Sequence, residues 1–256
     1  MKLIDDKNLM TAYGEFAKNG YYYETDLQKL PEDIRTIIEA ENIIKPEHLT
    51  YRLLKELFEI QIMMKESKYK CDSYCEPVID ALCQWLRKDN EFLKLDIDYS
   101  FEKGILLHGL VGCGKTLIMR GLVSLVQAFA LNKSDLRIPY FTSIDSYEVA
   151  HAFAKKGYEI FESGIPRDGT YNGMIGILNG WLFIDDIGSE PVVSHFGNTV
   201  NIIGELLIMR YDKPVKTSGT TNLDVKSLKA FYGERVYSRM RERFNFIYMK
   251  GNDRRK

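Results

Sequence analysis

A chain of 256 residues with 45% hydrophobic and 28% charged residues can bury a full core as one main domain plus a small appendage, which excludes a disordered chain. Lys plus Arg (35) and Asp plus Glu (36) almost cancel, leaving a formal net charge of -1. No global field therefore draws the chain to a polyanion or a membrane, and any such binding rests on a local patch. The opening "MKLIDDKNLM" has no apolar signal region, and no segment approaches the ~18 consecutive apolar residues of a membrane span. The expectation is a cytoplasmic location and no membrane partner.

Residues 1–70 show helical rather than strand spacing. In "EHLTYRLLKELFEIQIMMKE", Leu53, Leu54, Leu57, Ile60 and Met64 recur at threes and fours. This stretch is read as a small helical N-terminal module, with residues 71–256 as the second domain. The aromatic run "YYYETDLQKLP" in the module fits either local core or a docking surface. Cys71, Cys75 and Cys83 cluster without a nearby histidine, which favours reduced structural thiols over a zinc site. A second helix is expected after Pro77, through "VIDALCQWLRKD".

From "GILLHG" onward, short apolar runs alternate with longer helical patterns. Strands are predicted near 104–108, 137–142, 181–185, 215–221 and 245–249. "WLFID" is apolar on both faces, which suits a buried parallel strand. The fold class is α/β, a doubly wound parallel five-stranded sheet whose ligand site lies at the carboxyl ends of the strands.

"GLVGCGKT" fits G-x-x-x-x-G-K-[ST] between a predicted strand and a predicted helix, which is the context of a phosphate-binding P-loop. Gly109, Leu110, Val111, Gly112, Cys113 and Gly114 would curl their backbone N–H groups toward the phosphates of ATP. Lys115 would reach the β- and γ-phosphates, Thr116 would hold Mg2+, and Leu117 would complete the nucleotide-binding stretch. "WLFIDDIG" supplies a Walker B pattern: Asp185 as the second magnesium anchor, Asp186 to orient or deprotonate the attacking water. The strand "RIPYFTS" lies between the two motifs, so an extra strand is expected to separate the P-loop and Walker B strands in the sheet. The next strand, "VKTSGTTN", ends in Asn222, a neutral amide suited to positioning water beside the phosphates.

Near the C-terminal end, "GERVYSRMRERF" places Arg235, Arg239 and Arg243 on one helical face, with Val236 and Met240 beside it to seat the helix. A guanidinium delivered to a γ-phosphate stabilises the charge of phosphoryl transfer. Arg239 is the first candidate for a finger into a neighbouring subunit's nucleotide and Arg235 the second; the alternative is a solvated basic face paired with Glu234 and Glu242.

Taken together, the P-loop, "FIDDIG", "ELLIMRYDKPVKTSGTTNL" and "GERVYSRMRERF" resemble the AAA+ ATPases of the DnaC helicase-loader and IstB branch. The resemblance implies ATP bound at a subunit interface of a self-assembling ATPase, contact with single-stranded DNA, and delivery of a DnaB-type replicative helicase through the N-terminal module. An IstB-like regulator of DNA transposition is the alternative. A P-loop small-molecule kinase and a non-hydrolysing nucleotide-gated adaptor are more distant ones.

Two departures bear on mechanism. Asp186 stands where many AAA+ proteins carry Glu, which withdraws the carboxylate by one methylene, so hydrolysis is expected to be slow or dependent on partners. The sequence also stops after "FNFIYMKGNDRRK", without a helical C-terminal lid, as in the branch it resembles. In "YFTSIDSYEVAHAFAKKGYE", Lys155, Lys156 and the hydroxyls suit nucleic-acid phosphates and an aromatic would stack on bases, although "VAHAFAKK" also fits an ordinary amphipathic helix. His151 reads as a helix-surface or packing residue rather than a ligand, and "GNDRRK" as either a phosphate contact or a frayed end.

Overall fold

The computed structural model describes residues 50–130, 141–166 and 174–255. The aromatic run at 21–31, with the rest of residues 1–49, lies outside them. The described residues form two compact units: 50–99 with 120–130, and 100–119 with 141–166 and 174–255. No helix among them is long and apolar enough to cross a membrane.

In the first unit, α1 spans Tyr51–Met63, opened by Thr50, whose hydroxyl accepts from the Leu53 N–H at 3.2 Å. Leu53, Leu54, Leu57, Phe58 and Ile62 form its buried stripe. Ile60 is only half-buried, and Met64, expected on that stripe, falls outside the helix as its exposed C-cap. The second helix, α2, spans Glu76–Arg87, with Pro77 in the first turn and Lys88 stopping it in the left-handed conformation. Lys55 Nζ ties the two helices, 2.7 Å from Asp80 and 3.1 Å from Glu76. Such partly exposed pairs are each worth under about 1 kcal/mol, so the buried apolar faces dominate. A short α3 follows at Asn90–Leu93. Cys75 and Cys83 are buried and Cys71 half-buried, and no group of three or more His, Cys, Asp or Glu side chains is placed to hold an ion among the described residues.

The second unit is built on β1 (Gly104–His108), β2 (Phe141–Asp145), β5 (Trp181–Asp185), β8 (Thr217–Thr221) and β9 (Phe244–Tyr248). Between β2 and β5 lie α5 (Ser146–Lys156), α6 (Glu159–Ser163) and a minimal ladder of β3 (Ile165–Pro166) with β4 (Met174–Ile175); α4, Lys115–Ala130, follows β1. After β5 come the hairpin β6 (Val193–His195) and β7 (Asn198–Val200), then α7 (Ile202–Tyr211), and α8 (Val225–Arg243) precedes β9. The five strands pair in parallel in the order β2-β5-β8-β1-β9. An extra strand does separate the P-loop strand from the Walker B strand, but it is β8. The strand that intervenes in sequence runs on to Asp145 and takes the sheet edge beyond β5. Its polar Thr142 and Ser143 suit a strand paired on one side only.

A central strand reading TSGTT is unusual for a buried position, and its hydroxyls explain it. All five residues are buried. Ser218 Oγ accepts from the Ile105 N–H at 3.0 Å, and Thr217 Oγ1 from Arg210 Nε at 2.8 Å. Thr220 turns its hydroxyl toward the site described below. Polar atoms paired in this way are buried at little cost.

Arg210, at the end of α7, is 2% exposed and is held by backbone carbonyls and a hydroxyl. Its guanidinium donates to carbonyl oxygens of Ile177 (2.7 Å), Gly180 (2.9 Å) and Lys216 (3.0 Å) as well as to Thr217. Burial lowers its pKa to about 10, which still leaves it charged at neutral pH. Arg210→Met keeps the stem but strands these acceptors, so it is expected to lower unfolding stability by roughly 3 kcal/mol, read as a drop in the urea midpoint.

Candidate nucleotide-binding site

The strand order brings the carboxyl ends of β1, β8 and β5 side by side, and with them the P-loop, Asn222 and the two aspartates. Burial and positive φ explain the glycines of the loop. Gly112 sits at φ +79°, a left-handed backbone that a side chain would strain, and an added Cβ would push aside the Asp253 carboxylate 2.0 Å away. Gly109 is confined by backbone, with the Met249 carbonyl oxygen 2.2 Å from where a Cβ would stand.

Lys115 is 4% exposed, and its ammonium donates to Gly109 O (2.9 Å), Leu110 O (2.8 Å) and Asn222 Oδ1 (2.8 Å), with Cys113 Sγ at 3.8 Å. It thus joins the start of the loop to the end of β8. Desolvation lowers its pKa, and the negative charge of Asp186 and Asp185 works against that shift. Thr116 Oγ1 donates to Asp185 Oδ1 at 2.9 Å, and Thr220 Oγ1 donates to the same oxygen at 2.6 Å. Asp185 is 3% exposed. The hydroxyl of Thr116 and this carboxylate are hard oxygen donors in contact, a pair that would suit a magnesium ion.

Asp186 follows in the left-handed conformation, φ +54°. Its N–H donates to Thr220 Oγ1 (2.9 Å), and its carbonyl accepts from the hydroxyls of Ser146 (2.8 Å) and Ser189 (2.7 Å). The backbone is therefore clamped, and the side chain faces Asn222, whose Nδ2 donates to Asp186 Oδ1 at 3.3 Å. Burial, then repulsion from Asp185 and Asp145, raises the Asp186 pKa; Lys115 and Arg255 oppose the rise. One amide, Asn222, thus holds the lysine through its oxygen and the aspartate through its nitrogen. Beyond the turn, Glu190, 3% exposed, accepts from the Gly188 N–H at 2.7 Å and from the Tyr232 hydroxyl, fixing the turn to α8.

Gly233, at φ +80°, breaks α8, so the arginines ride on its second half. Met240 is buried and Val236 packs on the core. Arg239 lies over the Tyr211 ring at 4.9 Å and Arg243 over it at 5.1 Å. Arg235 is exposed. Arg239 Nη1 is buried without a hydrogen-bond partner.

Sequence reasoning missed Thr220, Ser146 and Ser189, which orient the aspartates, and the role of the residues after β9. These return over the P-loop: the Arg254 N–H donates to Gly112 O at 3.0 Å, and the Arg254 side chain passes 3.6 Å from the Cβ position of Gly114. The buried hydroxyls of "TSGTT" were the available signal for Thr220; nothing in "GNDRRK" announced the contact with the loop.

The strand order and the loop after β1 define an α/β protein of P-loop-like fold. No family model and no curated protein matches the chain. Among solved structures it is similar to the DnaC helicase loader, with 18% identity over 72% of this chain and 95% of the other and a TM-score of 0.45. DnaI aligns at 20% identity over 74% and 89%, TM-score 0.42. AMPPCP-bound DnaA from Aquifex aeolicus aligns at 16% identity over 74% and 51%, TM-score 0.40. Likeness at this level leaves the functional reading to the residues of the chain itself.

Proposed function

We propose that the chain is a magnesium-dependent ATPase of the DnaC-like kind, acting in DNA replication by binding single-stranded DNA and loading a DnaB-type replicative helicase through residues 1–70. The observation that carries the ATPase reading is the linked set Lys115–Asn222–Asp186 and Thr116–Asp185–Thr220, a cation, an amide and two unlike carboxylates converging at one end of the sheet. Bound magnesium would neutralise phosphate charge. Lys115 offers its ammonium to the phosphates, and the Thr116–Asp185 pair holds the hard-oxygen position. Asp186, its proton affinity raised by burial and its neighbours, takes the proton from the attacking water while Asn222 fixes its orientation. The helicase-loading and DNA-binding parts of the reading rest on the motif order, from the P-loop through "TTNL" to "GERVYSR".

Arg239 is assigned as the finger that completes a neighbouring subunit's site, with Arg235 as second candidate. Its unpartnered Nη1 and its seat over Tyr211 suit a group released on assembly. The test is ATP hydrolysis over a protein concentration series, without DNA, with single-stranded DNA and with duplex. A rate per subunit that climbs with concentration and with single strands, and that Arg239→Ala lowers by about 10³, is the expected result. A rate indifferent to concentration and to Arg239 removes the interface assignment. Preference for duplex moves the reading to an IstB-like transposition ATPase.

A further inference from the structure

Glu190 is a buried acid that the proposed reaction does not use. It is 3% exposed, and neutral donors hold its carboxylate: the Gly188 N–H on Oε2 at 2.7 Å, the Tyr232 hydroxyl on Oε1, and the Asn201 side chain. Taking an ion out of water to such a place is unfavourable, and an uncharged side chain would hold a turn at lower cost. What a carboxylate supplies is two acceptor oxygens in one plane, each able to take a charge-assisted bond. A glutamine offers one acceptor and an amide donor, so it cannot receive both the turn and the phenol. In Glu190 the two oxygens face different elements, which makes the side chain a bridge.

The bridged elements are the two that carry the proposed chemistry. On one side, the turn from Asp186 to Ser189 is stiff: the Asp186 carbonyl accepts from the Ser189 N–H at 3.1 Å as well as from two hydroxyls. A shift at Asp186 therefore reaches Gly188 and Glu190. On the other side, Tyr232 is the last residue before the break in α8. Its ring is buried against the first turn of α7, with Cδ1 3.3 Å from where a Cβ on Gly204 would stand. Gly233 then takes φ +80° and ψ 165°, a backbone region open in practice to glycine alone. An added Cβ there would meet nothing within 4 Å, so glycine serves the backbone and not a lack of room. The break leaves residues 234–243 as a segment of its own, carrying Arg235 and Arg239, tied at its start to Tyr232 and seated by the buried Met240. Asn201 adds a second route to the same arginine. Its Oδ1 accepts from the Gly204 N–H at 2.9 Å as the N-cap of α7, and α7 ends at Tyr211, whose ring faces Arg239.

We propose that Glu190 and Tyr232 are positioning residues whose bond couples the turn carrying Asp186 to the half-helix carrying Arg239, so that occupancy of one chain's nucleotide site sets the pose of the arginine that the chain presents to its neighbour. The proposal rests on the assignment of Arg239 in the functional reading above and adds the route by which a site and the finger of the same chain communicate. Neither residue is given a contact with nucleotide or with the attacking water.

The experiment compares the full chain with Tyr232→Phe, Glu190→Gln and the double variant in ATP hydrolysis with magnesium, from dilute to concentrated protein. Tyr232→Phe is the main variant, because it keeps the packed ring and removes only the hydroxyl; melting curves report folding, and should Glu190→Gln unfold, Tyr232→Phe alone decides. The dilute rate and the KM for ATP are expected to stay unchanged, while the concentration-dependent rate falls about tenfold or more, as when a transition-state group is misplaced by up to about 1 Å. The double variant should lose no more than either single one, because all three break the same bond. Hydrogen exchange gives a second readout. A non-hydrolysable ATP analogue should slow exchange across residues 109–116 in every protein, but across 234–243 in the wild type only. An Arg239-dependent rate that rises with concentration in the wild type and survives in Tyr232→Phe overturns the coupling and leaves the functional reading standing. A wild-type rate indifferent to concentration and to Arg239→Ala removes the finger assignment and the proposal with it. A variant whose dilute rate falls as far as its concentrated rate makes Glu190 a support of its own site alone and also overturns the proposal.

Discussion

Lys115→Ala is expected to lower ATP hydrolysis by about 10³ and to abolish the rise in melting temperature that ATP produces in the wild type. The size of the effect follows from where the ammonium is held. It is 4% exposed and donates to two loop carbonyls and to Asn222, so its position is set before any phosphate arrives. A charge fixed in a water-poor site acts on developing phosphate charge far more strongly than the same charge in water. Desolvation has already lowered the pKa of this lysine, so the fold bears a cost for holding the charge there. With a folded pKa below the unfolded one, that cost is present at pH values below the folded pKa and is relieved as pH rises through it. Truncation to Ala removes the charge and its cost together while leaving Gly109 O and Leu110 O without their donor. The melting temperature without nucleotide is therefore expected to change little. A variant that melts like the wild type yet no longer responds to ATP places the effect in phosphate binding; one that melts far lower with no residual response to nucleotide would place it in the fold.

The parts of this site that were legible in the sequence are those with local signatures. "GLVGCGKT" and "WLFIDD" announce their chemistry within eight residues, and strand ends such as Asp185 and Asn222 follow from hydrophobic runs that stop. Four of the five main strands were placed to within two residues for the same reason. What was not legible depends on sheet order. That "TSGTT" rather than the Phe141–Asp145 strand separates β1 from β5 is a matter of crossover, and no local pattern in either segment encodes it. Once β8 lies beside β5, Thr220 meets both aspartates and its hydroxyl becomes part of the site. Gly233 shows a second kind of miss: the arginine pattern is helical, but the glycine that opens it takes φ +80° and separates it from the preceding turns. Arg210 shows a third. Nothing local in "MRYDK" marks its arginine as buried, and only the convergence of three carbonyls around it reveals a clamp.

Asp186→Asn is expected to lower hydrolysis by about 10² to 10⁴ while raising the melting temperature near neutral pH, and the opposition of the two effects is the informative result. Asn is close in shape, and it tolerates the left-handed backbone that Asp186 occupies at φ +54°, so the clamped turn should persist. What disappears is a carboxylate whose pKa is raised by burial and by Asp185 and Asp145. For an acid raised in the folded state, the ionised form works against folding. The penalty is present above the folded pKa and is relieved as pH falls through it. The stability gain of the variant should therefore be largest near neutrality and fade in acid, where the wild type is itself protonated. The rate responds in the other direction. A general base must be ionised, so wild-type hydrolysis should fall with pH at a midpoint above the ordinary carboxylate value of 3.8, and the variant should lose that limb. Calorimetric melting and a pH–rate profile of the two proteins measure both effects. A variant that is stabilised yet hydrolyses ATP at the wild-type rate would remove Asp186 from the chemistry and leave the attacking water to Asn222 and to groups brought by a neighbouring subunit.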